Sequence, residues 1–314
     1  MYLVSAALDY SKLICSDAGP NYAISMKWNW DYLNKDYRYE DDVVYVIDNR
    51  ISEEECYYLK EAILSSKATF VLKIVDPNYE WGDQYYYQWL FLTLSFSNVY
   101  LLSVYEPKEL TLVLTKLYPC KLIYLPYPYD SAKEVPLKDL AKRKNKIIIS
   151  GSTHMFYPLR NLIIKKIKRV FVRRIFYSVL KHPGYPDTNE KGNFTHSIIG
   201  KNYIDFLSKY KVMFVCPARS KIELLKFHEC AYAGCLPTGA PPDSFPQEIK
   251  DLFVNIDNKK ILISTFNFFL KWSEKDHIKR LTAYRAYLQK ERNADHLNQL
   301  FQQQLEKKLV VKSN

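Results

Sequence analysis

Short apolar runs alternate with segments of helical spacing along the first half of the chain. Continuous apolar strands that alternate with helices predict a parallel sheet covered on both faces. The pattern therefore predicts a doubly wound α/β domain, whose ligands bind at the carboxyl ends of the strands. The predicted strands are residues 2–8, 43–47, 69–75, 99–104 and 122–125, and the predicted helices are residues 52–66, 84–96 and 107–117.

The second half repeats this alternation after a segment rich in proline and charge, residues 126–146, which we take as the domain boundary. The predicted strands are residues 146–150, a strand ending near residue 180, 212–216 and 235–238, and the predicted helices are 158–169, 203–210 and 221–233. A long helical pattern, residues 276–306, ends the chain. We predict domains at 1–130 and 131–275, with 276–314 as a final helix.

Polar and charged residues that could bind a ligand lie where the predicted strands of the second domain end. Lys226 and Glu229 are three residues apart on one predicted helix, so they share a face. A cation and a carboxylate together suit a ligand that carries both a phosphate and a diol. As an alternative, the two side chains form an ordinary surface ion pair.

Two further groups could bind an anion. Arg219 and Ser220 precede the same helix, where Ser220 could instead be a simple N-cap. Gly151 and Ser152 form a small-residue turn ahead of the helix that contains Arg160. A strand, such a turn and a helix N-terminus place backbone N–H groups around an anion.

Residues 226–237, with the sequence KFHECAYAGCLP, resemble the donor-site signature of GT-B glycosyltransferases. The resemblance is greatest to the exostosin-like and spore-maturation-protein-like branches. It implies two Rossmann-like domains that face a cleft, with Glu229 at the ribose hydroxyls of a nucleotide sugar and Lys226 at its diphosphate. It also implies that Gly234 closes the donor helix and that the final helix packs back across both domains.

The same resemblance extends to the start of the second domain, where Gly151, Ser152 and Arg160 match the spore-protein-like branch. One position departs from the wider pattern of retaining enzymes, because Lys221 stands where those enzymes have a second glutamate. This departure favours inversion at the sugar carbon.

An inverting transfer needs a base within hydrogen-bond reach of the acceptor hydroxyl. The candidates in the first domain are Asp76, which follows its most apolar strand, and the alternatives Asp48 and Asp17. Each could instead be a turn or cap residue. His182, in a loop of the second domain, is a candidate contact for the donor, and so is His228.

Composition and charge reduce the number of functions that fit the sequence. The chain has 314 residues and a net charge of +11, but residues 1–130 carry 11 basic and 18 acidic side chains, whereas residues 131–182 carry 14 and 2. This asymmetry argues against a uniformly basic nucleic-acid coat and fits a domain that handles an anionic group. The six cysteines show no metal-ligand spacing, which favours a reducing, cytoplasmic location.

Several motifs are missing from the sequence. It contains no acidic D-x-D triplet, no Walker loop and no G-x-G-x-x-G. Metal-dependent GT-A enzymes, kinases and nicotinamide dehydrogenases are therefore disfavoured, and we expect neither a bound metal nor a cofactor.

A basic cluster occupies residues 165–174. It could be a solvated helix face, or it could contact an anionic membrane peripherally. Nucleic-acid binding is disfavoured because no recognised motif accompanies the charge.

These observations predict a glycosyltransferase, hexosyl or pentosyl, that moves a sugar from a nucleotide diphosphate sugar to a hydroxyl of a glycan or glycoconjugate. The exostosin-like resemblance implies a UDP-sugar. Two alternatives stay open: a sugar-nucleotide epimerase or hydrolase of the same fold, and a non-catalytic protein that binds anionic surfaces through residues 165–174.

Overall fold

The computed structural model describes residues 1–5, 19–48, 51–74, 84–106, 118–153, 157–169, 173–181, 198–217, 222–256 and 259–313. The chain divides into two compact units. The first contains Met1–Tyr129 and Glu291–Asn314, and the second contains Asp130–Lys290. The division falls inside the proline-rich segment 126–146.

A parallel sheet of six strands forms the centre of the first unit, in the order β2-β1-β3-β4-β5-β6. Its strands are β1 (Tyr2–Ser5), β2 (Asn29–Tyr32), β3 (Val44–Ile47), β4 (Thr69–Lys73), β5 (Val99–Ser103) and β6 (Leu122–Tyr124). Its helices are α1 (Gly19–Met26), α2 (Glu53–Ser65) and α3 (Gln84–Thr93), and the C-terminal helix joins them. The apolar strands β4 and β5 are almost wholly buried, as the sequence predicted.

The second unit contains a parallel sheet of four strands, in the order β10-β9-β7-β8. Its strands are β7 (Lys144–Ser150), β8 (Tyr177–Leu180), β9 (Tyr210–Val215) and β10 (Leu236–Gly239). Its helices are α4 (Pro158–Lys168), α5 (Arg173–Phe176), α6 (Gly200–Leu207), α7 (Leu225–Tyr232), α8 (Gln247–Lys250), α9 (Ile261–Lys271) and nearly all of α10 (Glu274–Arg292). The last helix, α11 (Ala294–Ser313), is the C-terminal helix of the first unit. Two parallel-sheet α/β regions confirm the predicted fold class.

Local sequence signals explain several element ends. Helix α2 begins with a capping box in which Ser52 Oγ accepts a hydrogen bond from the Glu55 N–H, and the Glu55 carboxylate accepts one from the Ser52 N–H. The predicted final helix is in fact two helices, because Asn293 caps the second one through its side chain, which accepts a hydrogen bond from the His296 N–H.

Other elements differ from the sequence prediction. Strand β2 was not predicted, because three of its four residues are exposed and it lacks an apolar run. Helix α7 begins later than predicted, since Leu224 has extended backbone angles and is the N-cap. The predicted helix 107–117 lies outside the described residues. Within the described ranges, no helix combines the length and the apolar character that crossing a bilayer requires.

Candidate functional site

The turn after β7 brings backbone and a cation into close contact. Gly151 has a φ of +101°, and a Cβ built there would lie 2.9 Å from Arg160 Nη1. That Nη1 donates a hydrogen bond of 2.7 Å to the Ser152 carbonyl, while the guanidinium lies over the ring of Tyr157 at 4.4 Å. The backbone conformation of the turn therefore favours glycine, and a Cβ there would displace the Arg160 guanidinium.

Lys226 and Glu229 meet in the first turns of α7. Lys226 Nζ lies 2.7 Å from Glu229 Oε2, and the lysine side chain is 24% exposed whereas the carboxylate is 8% exposed. Nζ also donates a 2.9 Å hydrogen bond to the Tyr203 hydroxyl, which shares a further hydrogen bond with Ser150 Oγ. A continuous polar chain thus joins α7 to the carboxyl end of β7.

The same lysine is also near the glycine turn. A Cβ at Gly151 would lie 3.3 Å from Lys226 Cε, although the two residues are far apart in the sequence. Strands β7 and β9 are neighbours in the sheet, so the turn that follows β7 and the helix that follows β9 lie at the same edge. The structure therefore brings together Gly151, Arg160, Lys226 and Glu229, which the sequence had singled out separately.

The electrostatics of this cluster keep the lysine charged. Burial alone would lower the pKa of Lys226, but the charge of Glu229 and the contacts with Tyr203 outweigh it and raise the pKa above its ordinary value. Burial raises the pKa of Tyr203 to about 12, so this hydroxyl stays neutral. The site thus contains an ammonium ion that is oriented by a carboxylate and a phenol.

Helix α7 ends in a Schellman motif, which fixes its direction. The Cys235 N–H donates to the Cys230 carbonyl, and the Gly234 N–H donates to the Ala231 carbonyl, both at 3.0 Å. Gly234 has a φ of +70°, as this position requires. The predicted helix stop at Gly234 is confirmed.

Two guanidinium groups donate hydrogen bonds to carbonyls at the C-terminal end of α7. Arg285 donates to the carbonyls of Ala231 and Tyr232, and Arg143 donates to those of Ala233 and Gly234. Positive charge at a helix C-terminus is favourable, because it opposes the negative end of the helix dipole. These contacts hold the helix that presents Lys226 and Glu229.

The buried side chain of His277 adds a third contact to the C-terminal end of α7. Its Nε2 lies 3.0 Å from the Gly234 carbonyl, and its Nδ1 accepts a 3.2 Å hydrogen bond from the Trp272 indole N–H. Because Nδ1 is an acceptor, Nε2 carries the proton and donates. Burial lowers the pKa of His277 to about 4, so the ring is neutral near pH 7.

Sequence reasoning missed Glu223 as a member of this region. His228 Nε2 lies 2.8 Å from Glu223 Oε1, and both side chains are buried. Residues 222–224 are not helical, so the spacing of the two residues carried no helical signal. This pair fixes the extended segment that leads into α7. The donor contact predicted for His228 stays a prediction.

The remaining predicted site residues divide into two groups. Asp48 is described and fully buried, with its Oδ1 3.9 Å from Lys73 Nζ. Asp17, Asp76, His182, Arg219 and Ser220 lie outside the described residues. The catalytic role of Asp48, Asp76 or Asp17 stays a prediction. Among the residues that the structure describes, no group of three or more His, Cys, Asp and Glu side chains could hold a metal ion.

Neither a profile of a known protein family nor a curated protein sequence matches this chain. Solved structures do match. HepE from Anabaena, in complex with UDP and glucose, gives a TM-score of 0.57 at 7% identity and covers 98% of this chain and 100% of that one. The T4 phage β-glucosyltransferase gives 0.51 at 12% identity, over 99% and 98% of the two chains.

The trehalose-6-phosphate synthase OtsA gives a TM-score of 0.55 at 9% identity, over 97% of this chain and 98% of that one. At such low identity a likeness shows the fold alone. Assignment to the exostosin-like or the spore-maturation-protein-like branch stays a prediction. The chain has the fold of the GT-B glycosyltransferases, with two Rossmann-like α/β domains.

Proposed function

We propose that this protein transfers a sugar from a UDP-sugar to a hydroxyl of a glycan or glycoconjugate. The observation that carries the proposal is the Lys226–Glu229 pair beside the Gly151 turn, at the carboxyl ends of β7 and β9. Ligands of doubly wound folds bind at this edge. The likeness to HepE, solved with UDP and glucose, and to a phage β-glucosyltransferase supports it.

Glu229 would accept hydrogen bonds from the ribose hydroxyls. Its carboxylate is nearly buried, and a carboxylate accepts through two oxygens, one of which already faces Lys226. Charge-assisted hydrogen bonds to a diol are stronger than neutral ones, so this side chain would supply much of the affinity for the nucleoside.

Lys226 would bind the diphosphate. An ammonium group has three N–H donors, and the contacts with Glu229 and Tyr203 occupy two of them. The third can reach a phosphate oxygen through the exposed part of the side chain. Because Glu229 and Tyr203 already orient the ammonium, little side-chain entropy is lost when the ligand binds.

The Gly151–Ser152 turn would approach the diphosphate with its backbone N–H groups, next to the N-terminus of α4. Arg160 is buried and donates to the Ser152 carbonyl, so its charge acts from behind the turn. As the glycosidic bond to the diphosphate breaks, negative charge grows on the leaving group. Preorganised cations and amides there stabilise the transition state.

We propose that the transfer inverts the sugar carbon without a metal ion. Lys226 and Arg160 would supply the positive charge that a divalent ion provides in other transferases. A carboxylate of the first unit would remove the acceptor proton, with Asp76 as our first candidate and Asp17 and Asp48 as alternatives. The burial of Asp48 beside Lys73 favours the other two.

Thermal unfolding with and without UDP tests the donor site. A ligand at about one hundred times its Kd stabilises by about 2.7 kcal/mol, which corresponds to roughly 5–10 °C for a domain of this size. We expect Glu229→Gln to remove most of this shift while the fold is retained. The matched control is Glu248→Gln, an exposed carboxylate of the same unit. An equal UDP shift in Glu229→Gln and in the unchanged protein would contradict the assignment.

Turnover separates transfer from the other reactions of this fold. The transferase should release UDP from UDP-sugars faster when glycan acceptors are added, and it should form a glycoside of inverted configuration. Release at the same rate without acceptor would identify a hydrolase, and conversion of the sugar without UDP release would identify an epimerase.

A further inference from the structure

Helix α9 exposes large apolar side chains on one side. Ile263, Phe266 and Leu270 are 61%, 49% and 67% exposed. Their spacing of three and four residues places them along a single stripe of the helix. In proteins that fold in water, a contiguous patch of exposed apolar side chains indicates an interaction site.

The stripe continues onto neighbouring elements. Ile175 in α5 and Val179 in β8, at the edge of the sheet, are 57% and 50% exposed. Phe176, which lies between them in the sequence, contacts Phe266 with ring centroids 6.1 Å apart. This contact places α5 beside α9. We call the exposed side chains of these neighbouring elements the apolar face: Ile175, Val179, Ile263, Phe266 and Leu270.

The two segments that contain this face are rich in basic residues. Residues 163–181 contain seven basic and no acidic side chains, and residues 259–273 contain three basic and none acidic. Lys260 and Lys271 are exposed at the two ends of α9, and Lys181 is exposed directly after β8. Apolar side chains are thus flanked by cations without any compensating carboxylate in these segments.

We propose that the apolar face docks on the surface of an anionic lipid bilayer. Its apolar side chains would enter the boundary between headgroups and acyl chains, while the flanking lysines contact lipid phosphates. The absence of acidic residues in both segments favours this occupant over a second copy of the chain, because two such faces would repel one another. The contact is peripheral, since α9 has only 11 residues. It does not depend on the proposed sugar transfer.

Flotation with lipid vesicles tests the proposal. We expect the full chain to float with vesicles of equal parts phosphatidylcholine and phosphatidylglycerol, and to float weakly with phosphatidylcholine alone. Binding should fall as salt is added, because screening weakens the attraction of the lysines. The triple variant Ile263→Ser, Phe266→Ser, Leu270→Ser should bind at least about tenfold more weakly, since three apolar side chains no longer insert.

A matched variant controls for general loss of surface apolarity. Ile24, Leu64 and Leu92 are exposed to similar extents on helices of the first unit, and their replacement by serine should leave vesicle binding unchanged. Circular dichroism and thermal unfolding without ligand show whether each variant is folded. Failure of the unchanged protein to bind anionic vesicles would overturn the proposal. So would a dimer in solution that the α9 triple variant dissociates, because the face would then bind a second copy.

Discussion

Replacing His277 by glutamine tests how the C-terminal end of α7 is held. The imidazole donates from Nε2 to the Gly234 carbonyl and accepts at Nδ1 from Trp272. Protonation would give Nδ1 a hydrogen that points at the indole N–H, so the charged form is disfavoured. A glutamine amide can still donate to the carbonyl, but it does not titrate.

The effect on stability follows from the lowered pKa of His277, about 4 in the folded protein against 6.5 for the ordinary side chain. Between these values the unfolded chain binds more protons than the folded chain, so stability falls as the pH falls. The loss begins near pH 7.5, reaches about 2 kcal/mol at pH 5 and is about 3 kcal/mol near pH 4. Above about pH 7.5 this residue contributes almost no pH dependence.

Urea denaturation between pH 5 and pH 7 measures the effect. The unchanged protein should lose about 2 kcal/mol more than His277→Gln over this interval, because the carboxylates that also titrate are common to both proteins. Histidine NMR signals provide a direct check, with the variant identifying the resonance. A His277 ring that titrates near pH 6.5 in the folded protein, or equal pH dependence in the two proteins, would refute the reasoning.

Two further substitutions test the site itself. Gly151→Ala should lower the free energy of unfolding by roughly 1–3 kcal/mol, because φ is positive and the new Cβ would press on Arg160. Urea denaturation measures this loss, with Ser152→Ala as the neighbouring control. Equal stability of Gly151→Ala and the unchanged protein would contradict the close approach. Tyr203→Phe removes the hydroxyl between Lys226 and Ser150 and should weaken UDP binding about three- to tenfold. Isothermal titration calorimetry measures the Kd. An unchanged Kd would show that the phenol does not orient the lysine.

Much of the fold could be predicted from local pattern. The apolar runs at β3, β4, β5 and β9 are buried strands, because a parallel sheet covered on both faces needs continuous apolar sequence. The capping box of Ser52 and the stop at Gly234 also have local physical causes. Strand β2 escaped prediction because its side chains are mostly exposed.

The candidate site was predictable only in part. The spacing of Lys226 and Glu229 indicated their contact, since both lie on one helix. The partners that orient them were not predictable, because Tyr203 and Ser150 are distant in the sequence and belong to other elements. The buried pair of Glu223 and His228 also gave no signal, since the segment before α7 is extended.

The sequence by itself determined the alternation of strands and helices, the parallel α/β class and the spacing of the residues that we propose for the donor site. These depend on spacing of a few residues, which local backbone geometry translates directly into shared faces. The tertiary structure decided which of those residues meet. Strand β9 lies beside β7, not beside β8, and that order places the Gly151 turn against Lys226. Strand order is set by packing of the whole sheet, so no short stretch of sequence contains it.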